Sequence, residues 1–396
     1  MMEARPIEET VQNGAISTAV IFLTSGPYHL ARARALDQTD GLHPTFIQLA
    51  SAIATHPWRA DESSFEPPIR TVAKLPYQDC SYFELSRELW KILDETNPAV
   101  VATSLRPFAM LSAARWARSR GRGTVLFYET TPDDKPRRAF LETVKRELLK
   151  RYYDAAFVGG RVSREYLIDL GMPAGRIWQG YDVVDNEYFA NSAASVRKQP
   201  TRWREQLGLP ERYFLYVGRY SGEKNLLRLL DAYHAHRQSD AFDGWSLVMV
   251  GEGPQHLELE RFIADKRIEG VFLKPFAQLE DLPAHYALAD CFILPSTVEP
   301  WGLVVNEAMA CGLPVLVSKV CGCMLELVVE GDNGFCFEPH DTSALTALMG
   351  RLSSRDVAAR DRMGVRSREI VARFTPRTWA DNLASCVRTV AAERQR

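Results

Sequence analysis

Short apolar runs rich in β-branched residues alternate with amphipathic stretches along nearly the whole chain. In the first half the runs read as strands are TAVIFLTS (18–25), PTFIQLA (44–50), AVVATS (99–104), TVLFYET (124–130) and AAFVGG (155–160). In the second half they are YFLYVGR (213–219), SLVMVGEG (246–253), VFLK (271–274), CFILPS (291–296), PVLVS (314–318) and GFCFEP (334–339). Strands that are apolar throughout, separated by helical patterns such as YFELSRELWKILDE, predict parallel sheets covered on both faces. Two such sets are present. Between them, residues 186–208 lose strand periodicity and become small and polar, so a linker is expected there. The expected organisation is a first domain over 1–190, a linker over 191–210, a second domain over 211–374 and a terminal helix over 375–396. In that last segment Trp379, Leu383, Val387 and Val390 recur near the helical period. No solenoid repeat or low-complexity tract interrupts the pattern.

At 396 residues the chain is longer than one core usually grows, which agrees with two domains. A hydrophobic content of 46%, a charged content of 25% and a net charge of −2 describe an ordinary globular protein and argue against a nucleic-acid partner. The opening MMEARPIEETVQNGAIS lacks the basic and apolar regions of a secretory signal, so a cytoplasmic location is expected. The longest apolar stretch, 302–329, is broken by Asn306, Glu307, Lys319 and Glu326 and does not read as a membrane span. Seven cysteines read as reduced thiols rather than a disulfide framework.

The chemistry concentrates in EPWGLVVNEAMACGLP, residues 299–314. Here a strand (CFILPS), a helix-compatible run closed by Gly312 and Pro314, and a second strand (PVLVS) make one βαβ unit. Its first loop lies at the carboxyl end of a strand, where open α/β sheets bind ligands. A helix starting near Gly302 aims the N–H groups of Gly302, Leu303 and Val304 outward, an arrangement suited to a phosphate. Glu299 in the loop and Glu307 in the helix are carboxylates able to accept paired hydrogen bonds from vicinal hydroxyls. The alternative is that they only complement the helix dipole. It suits Glu307 less, because an idle carboxylate that deep in an apolar helix is costly.

A second signal is YVGRYSGEKNLLRLLDAYHAHR (216–237). Arg219 and Lys224 fall between a strand and a helix, where two cations suit a diphosphate; the competing reading is a solvated surface pair. As a phosphate-binding G-x-x-x-x-G-K-[ST] loop the match fails, since Asn225 follows the lysine. GEGPQH has one G-x-G but not the dinucleotide fingerprint. His234 and His236 lie two apart on a helix, Cys321 and Cys323 lack a second metal-spaced pair, and G-x-S-x-G is absent, so neither a metal site nor a hydrolase triad is expected.

Taken together, GRYSGEKN, LVMVGEGP, LEDLPAHYALADCFILPS, EPWGLVVNEAMACGLPVLVS and GCMLELVVEGDNGFCFEP resemble a family-4 retaining glycosyltransferase of group 1. The resemblance covers nearly all of residues 213–341. It implies an α/β GT-B fold, with two Rossmann-like domains whose parallel sheets face each other across a cleft. It further implies that Arg219 and Lys224 bind the donor diphosphate with the backbone at Gly302, Leu303 and Val304, that Glu299 contacts the donor sugar, and that Glu307 contacts the ribose. Gly26, Gly218, Gly251, Phe276 and Pro300 join the donor side, with FLKPFAQ (272–278) lining the base. Cys323 is expected to pack beside the pocket. On the acceptor side the candidates are Tyr28, His29 and Arg32, in the turn after the first strand, with Glu129 and Asp133. A strand–helix turn and a solvent-facing first helical turn are the plainer readings of Gly26 and Arg32. Where many relatives carry a histidine–aspartate pair, this chain has YETTPDD, so Glu129 or Asp133 is expected as acceptor ligand.

The expected reaction is metal-independent transfer of a sugar, with retained configuration, from a nucleotide diphosphate sugar to an acceptor hydroxyl. The donor is a substrate and no cofactor is expected. A catalytically silent sugar-nucleotide-binding subunit is the alternative, supported by the altered YETTPDD segment; a sugar phosphorylase on a related fold is a third. Residues 135–153 carry seven basic against two acidic side chains, with Phe140, Val144, Leu148 and Tyr152 on one stripe. Such a helix either packs its stripe in the core or lies on anionic lipid as a peripheral membrane contact.

Overall fold

The computed structural model of the chain describes residues 11–12, 14–53, 66–132, 134 and 137–395. The chain divides into two units: unit 1 runs to Val183 and resumes at Pro376, and unit 2 is Val184–Thr375.

Unit 1 contains β1 (Val11–Gln12), β2 (Ala15–Phe22), β3 (Leu42–Ala52), β4 (Ile69–Pro76), β5 (Val100–Ser104), β6 (Gly123–Tyr128), β7 (Ala155–Val158) and β8 (Ile177–Gln179). Between them lie α1 (Pro27–Asp37), α2 (Tyr82–Thr96), α3 (Phe108–Ser119), α4 (Ala139–Tyr152) and α5 (Arg161–Asp169). The sheet order is β4-β3-β2-β5-β6-β7-β8, parallel throughout, with β1 antiparallel on β2. The period of two is visible in the packing. Leu126 and Tyr128 of β6, with Ala156 and Val158 of β7, join a cluster with Leu149, Tyr166 and Leu167 from α4 and α5. The intervening Phe127 and Phe157 face Trp379, with ring centroids 6.4 and 5.8 Å away.

Unit 2 opens with α6 (Asn186–Val196) and α7 (Pro200–Leu207). It continues through β9 (Tyr213–Val217), α8 (Leu226–Arg237), β10 (Ser246–Val250), α9 (His256–Lys266), β11 (Val271–Lys274), α10 (Leu282–Leu288), β12 (Cys291–Leu294), α11 (Leu303–Ala310), β13 (Val315–Ser318), α12 (Met324–Leu327) and β14 (Gly334–Phe337). It ends with α13 (Thr342–Ser353) and α14 (Val357–Val371). The six strands are parallel in the order β11-β10-β9-β12-β13-β14. The last helix, α15 (Pro376–Arg394), packs on α1, β6 and β7 of unit 1.

Two expectations need correction. Residues 191–210 are not an irregular linker: α6 and α7 occupy most of that span inside unit 2, and the division falls at Val183/Val184. Asp185 caps α6 by accepting from the Tyr188 N–H at 3.0 Å, and Phe189, Ala193 and Val196 form its buried face. Their i, i+4, i+7 spacing is helical, a signal obscured by the small and polar residues around them. Arg197 then ties the segment down, donating to the Ala287 and Cys311 carbonyls at 2.9 and 2.7 Å. The strand pattern also missed β4 and β8. β4 lies at the sheet edge with none of its residues fully buried, and β8 has three residues, so neither carries an apolar run. Among the described residues, no helix is long and apolar enough to cross a membrane.

Candidate functional site

In unit 2, β9 and β12 are paired neighbours, Phe214 opposite Cys291 and Leu215 opposite Phe292. β9 is flanked on its other side by β10 and β12 by β13, so the chain's progression reverses between them. Loops leaving the carboxyl ends of two such strands diverge and leave a crevice suited to a ligand. Residues 218–225 and 295–302 are those loops.

Main-chain contacts hold the first loop. At Gly251 a Cβ would stand 1.9 Å from the Gly218 carbonyl oxygen, so only glycine lets the ends of β9 and β10 approach this closely. The Tyr216 hydroxyl donates to the Arg219 carbonyl at 3.0 Å. Asn225 sits at φ +58°, which Asn tolerates better than most residues, and its Nδ2 donates to the Pro295 and Pro339 carbonyls at 3.0 and 2.7 Å. The Thr297 N–H donates to the Glu223 carbonyl at 2.8 Å, joining the two loops. Desolvation raises the Glu223 carboxyl, but its Ser221 hydrogen bond and the nearby Lys224 and Arg219 charges prevail and hold it below its ordinary value.

This scaffold brings Lys224 to Glu299. The Nζ–Oε2 distance is 2.5 Å, and the side chains are 19% and 11% exposed, so the pair is largely out of water. Ser296 Oγ donates to the same carboxylate oxygen at 3.2 Å. The second loop is braced from below: Gly322 N–H donates to the Glu299 carbonyl at 3.0 Å and Cys323 N–H to the Trp301 carbonyl at 3.2 Å. Gly302 caps α11 at φ +104°, and a Cβ there would meet Leu294 Cδ2 at 2.8 Å and Cys323 Sγ at 3.7 Å. Burial raises the Cys321 and Cys323 thiols well above their ordinary values, which makes them packing groups rather than thiolates.

Within α11, Glu307 is 1% exposed and accepts from the Tyr286 hydroxyl at 2.7 Å. Its neighbour Asn306 is fully buried and accepts from Trp301 Nε1 at 2.9 Å. Leu303 and Val304, in the helix's first turn, are half-buried, as are Pro300, Gly218 and Phe276. Arg219 is exposed and makes no ion pair among the described residues. The sequence pattern marks the charged members but not Ser296 and Tyr286, which bond Glu299 and Glu307, nor Asn225, Trp301 and Asn306, which brace the loops and helix around them. Asn225 alone leaves a signal, being an Asn at a strand–helix junction, a residue type that tolerates the positive φ such a turn can require.

The first-unit candidates are less gathered. Gly26 caps α1 and its N–H donates to His29 Nδ1 at 3.2 Å, while the His29 ring lies 4.6 Å from that of Phe22. His29 therefore has a local capping role. Tyr28 is half-buried. Arg32 does not face solvent: it is 2% exposed, donates to the Val183 carbonyl at 3.0 Å and lies over the Tyr181 ring at 5.0 Å. It points inward because α1 packs that face on the segment after β8. Glu129 has an exposed side chain and a carbonyl accepting from Ser163 at 3.2 Å. Asp133 lies outside the described residues. In α4, Leu149 is buried and Leu148 and Tyr152 pack against the core, whereas Phe140 and Val144 are 76% and 39% exposed, so the stripe is divided. Among the described residues, no group of three or more His, Cys, Asp or Glu side chains could hold a metal ion.

Comparison with known proteins places this geometry. Residues 198–370 match the family described as Glycosyl transferases group 1. The sulfoquinovosyl transferase SQD2 of Arabidopsis thaliana is 29% identical over 73% of this chain and 58% of its own. O-antigen chain mannosyltransferase B of Escherichia coli is 32% identical over 47% of this chain and 48% of its own. The chain thus spans about half the length of these curated relatives. The crystal structure of Anabaena HepE in complex with UDP and glucose superposes with a TM-score of 0.72 at 19% identity, covering 94% of this chain and 100% of that one.

Proposed function

Starting from a chain of the GT-B fold whose residues 198–370 match the glycosyl transferases group 1 family, we propose that it moves a sugar from a nucleotide diphosphate sugar to an acceptor hydroxyl with retained configuration. The Lys224–Glu299 pair beside the amino end of α11, at the β9/β12 switch point, carries this reading. Lys224 has three N–H donors and gives one to Glu299, which leaves donors for a diphosphate oxygen. Arg219, exposed on the same loop, and the first-turn N–H groups of Leu303 and Val304 serve the same charge. As the sugar–oxygen bond breaks, negative charge grows on the departing diphosphate, and donors already fixed in place stabilise it without reorganisation. Glu299 is assigned to a donor-sugar hydroxyl through its other oxygen. Glu307 is assigned to the ribose hydroxyls, with Tyr286 orienting it. Gly218 and Gly251 allow backbone approach, and Phe276 and Pro300 border the donor. On the acceptor side Tyr28 and Glu129 remain candidates, while His29 shapes the α1 turn. The exposed Phe140 and Val144 among basic residues support peripheral contact of α4 with anionic lipid; flotation with anionic vesicles that is abolished by Phe140→Asp tests it.

A thermal-shift panel of UDP, GDP, ADP and TDP sugars tests the donor, since a bound nucleotide stabilises the folded chain. One base series should raise the melting temperature, and Lys224→Arg should weaken the shift. No shift with any of them would overturn the proposal.

A further inference from the structure

We propose that a cavity in unit 1 is a subsite for one pyranose ring of the acceptor, which makes the acceptor a saccharide; this rests on the transferase reading above. The cavity, about 290 Å³, is lined by Tyr77, Tyr82, Leu85, Arg106, Pro107 and Phe108 among others. Tyr77 follows β4 and Arg106 follows β5, so it opens at the carboxyl ends of the unit 1 strands, where parallel sheets bind ligands. Its volume is near the bottom of the range for ligand pockets, enough for a single ring.

The walls choose among ligands. Tyr82 and Phe108 are 40% and 57% exposed and stand edge to face with centroids 6.4 Å apart, an unusual exposure for two large rings. Arg106 lies over Phe108 at 5.5 Å and has no acid partner among the described residues. A cationic donor, tyrosine side chains and apolar ring faces therefore meet around one small space. An alkyl chain would cover the rings but leave Arg106 without a partner. An anion would pair with Arg106 but leave the faces of Tyr82 and Phe108 without an apolar partner. A pyranose has C–H faces that pack on aromatic rings and a rim of hydroxyls that both donate and accept.

Saturation-transfer NMR on the full chain tests this with the methyl α-glycosides of glucose, galactose and mannose, and with phenyl phosphate and hexanol as anionic and apolar comparators. At least one glycoside should saturate, and Phe108→Ala and Arg106→Gln should each weaken it about three- to tenfold. Both side chains are exposed, so circular-dichroism melts should match the parent, and the nucleotide thermal shift should be unchanged. The inference is overturned if no glycoside saturates, if both variants bind as the parent does, or if either comparator binds more tightly than every glycoside. If glycosides bind through Phe108 while no nucleotide shifts the melt, the pyranose subsite stands and the transferase reading falls.

Discussion

Both units set parallel strands about a switch point, β3-β2-β5 in one and β10-β9-β12 in the other, yet the space at their strand ends is filled differently. In unit 2 the loops after β9 and β12 are bonded to each other and to the main chain around them, and they bury an ion pair between them. In unit 1 the equivalent ends carry a histidine capping its own helix, an exposed Glu129, and a cavity rimmed by exposed aromatic rings. If the unit 2 loops hold a diphosphate, as proposed, rigid bracing suits them, because a diphosphate presents the same charges whatever sugar it bears. A subsite for variable chemistry has no such fixed demand.

The sharpest way to break this contrast is to remove Lys224. Lys224→Ala should lower turnover by about 10²–10³, measured as release of nucleoside diphosphate. It should not leave the fold untouched, because Glu299 would lose its partner while remaining 11% exposed. A destabilisation of about 3 kcal/mol is expected from a stranded carboxylate. The double variant Lys224→Ala/Glu299→Ala should recover most of that stability and none of the activity. Equal melting of the single and double variants would show that the pair is not a buried unit.

Gly302→Ala comes next. Its φ of +104° and the 2.8 Å approach to Leu294 Cδ2 force the start of α11 to shift. Misplaced donors cost catalysis steeply, so a loss of about 10²-fold in kcat is expected, beyond the loss of stability from Ala strained at a positive φ. Asn225→Ala should act the other way round. It removes the two hydrogen bonds that Nδ2 donates and the one Oδ1 accepts from Arg228, and places Ala at a positive φ, for about 1–3 kcal/mol of stability by urea denaturation, and lowers turnover only as far as Lys224 loosens. A wild-type denaturation midpoint for Asn225→Ala would sever the link between loop bracing and site.

The same contrast explains what the sequence made legible. Apolar strands buried on both faces declare themselves, as β12 and β13 do within CFILPS and PVLVS, and even the half-buried edge strand β11 coincides with VFLK over 271–274. Most other runs overran their strands at the carboxyl end, as YFLYVGR did beyond Val217 and CFILPS beyond Leu294, because the chain leaves the sheet there to build the site. Arg219, Lys224, Glu299 and Glu307 were visible as charges out of place. Ser296, Tyr286 and Asn306 were not, since a polar side chain that satisfies a neighbour looks like any other until the neighbour is known. Arg32 misled for a related reason: long cationic side chains usually reach water, and this one ends on the Val183 carbonyl. The cavity lined by Tyr82, Arg106 and Phe108 draws on separate segments without a shared spacing, so nothing in the sequence joined them.

The smallest predicted effect separates the units by acid. Among the described residues the buried histidines are His236 and His285, both in unit 2. Neither ring nitrogen of His236 has a hydrogen-bond partner, and it lies among the rings of Phe214 and Phe242 at 5.9 and 5.6 Å. Burial lowers both from 6.5, against the weaker opposing pull of Asp243 on His236 and of Asp281 on His285. Between the lowered values and 6.5 the unfolded chain therefore binds more protons than the folded one, and stability is lost as pH falls through that window. Hydrogen exchange read unit by unit should show unit 2 opening more readily at pH 5 than at pH 7.5. The matching fall in melting temperature is roughly 2–4 °C, which about 1 kcal/mol produces in a domain of this size. His236→Phe should remove part of that dependence, because the position already packs as an aromatic and would no longer take up a proton. Acid sensitivity that is unchanged in His236→Phe, or that appears first in unit 1, would place its origin in other groups.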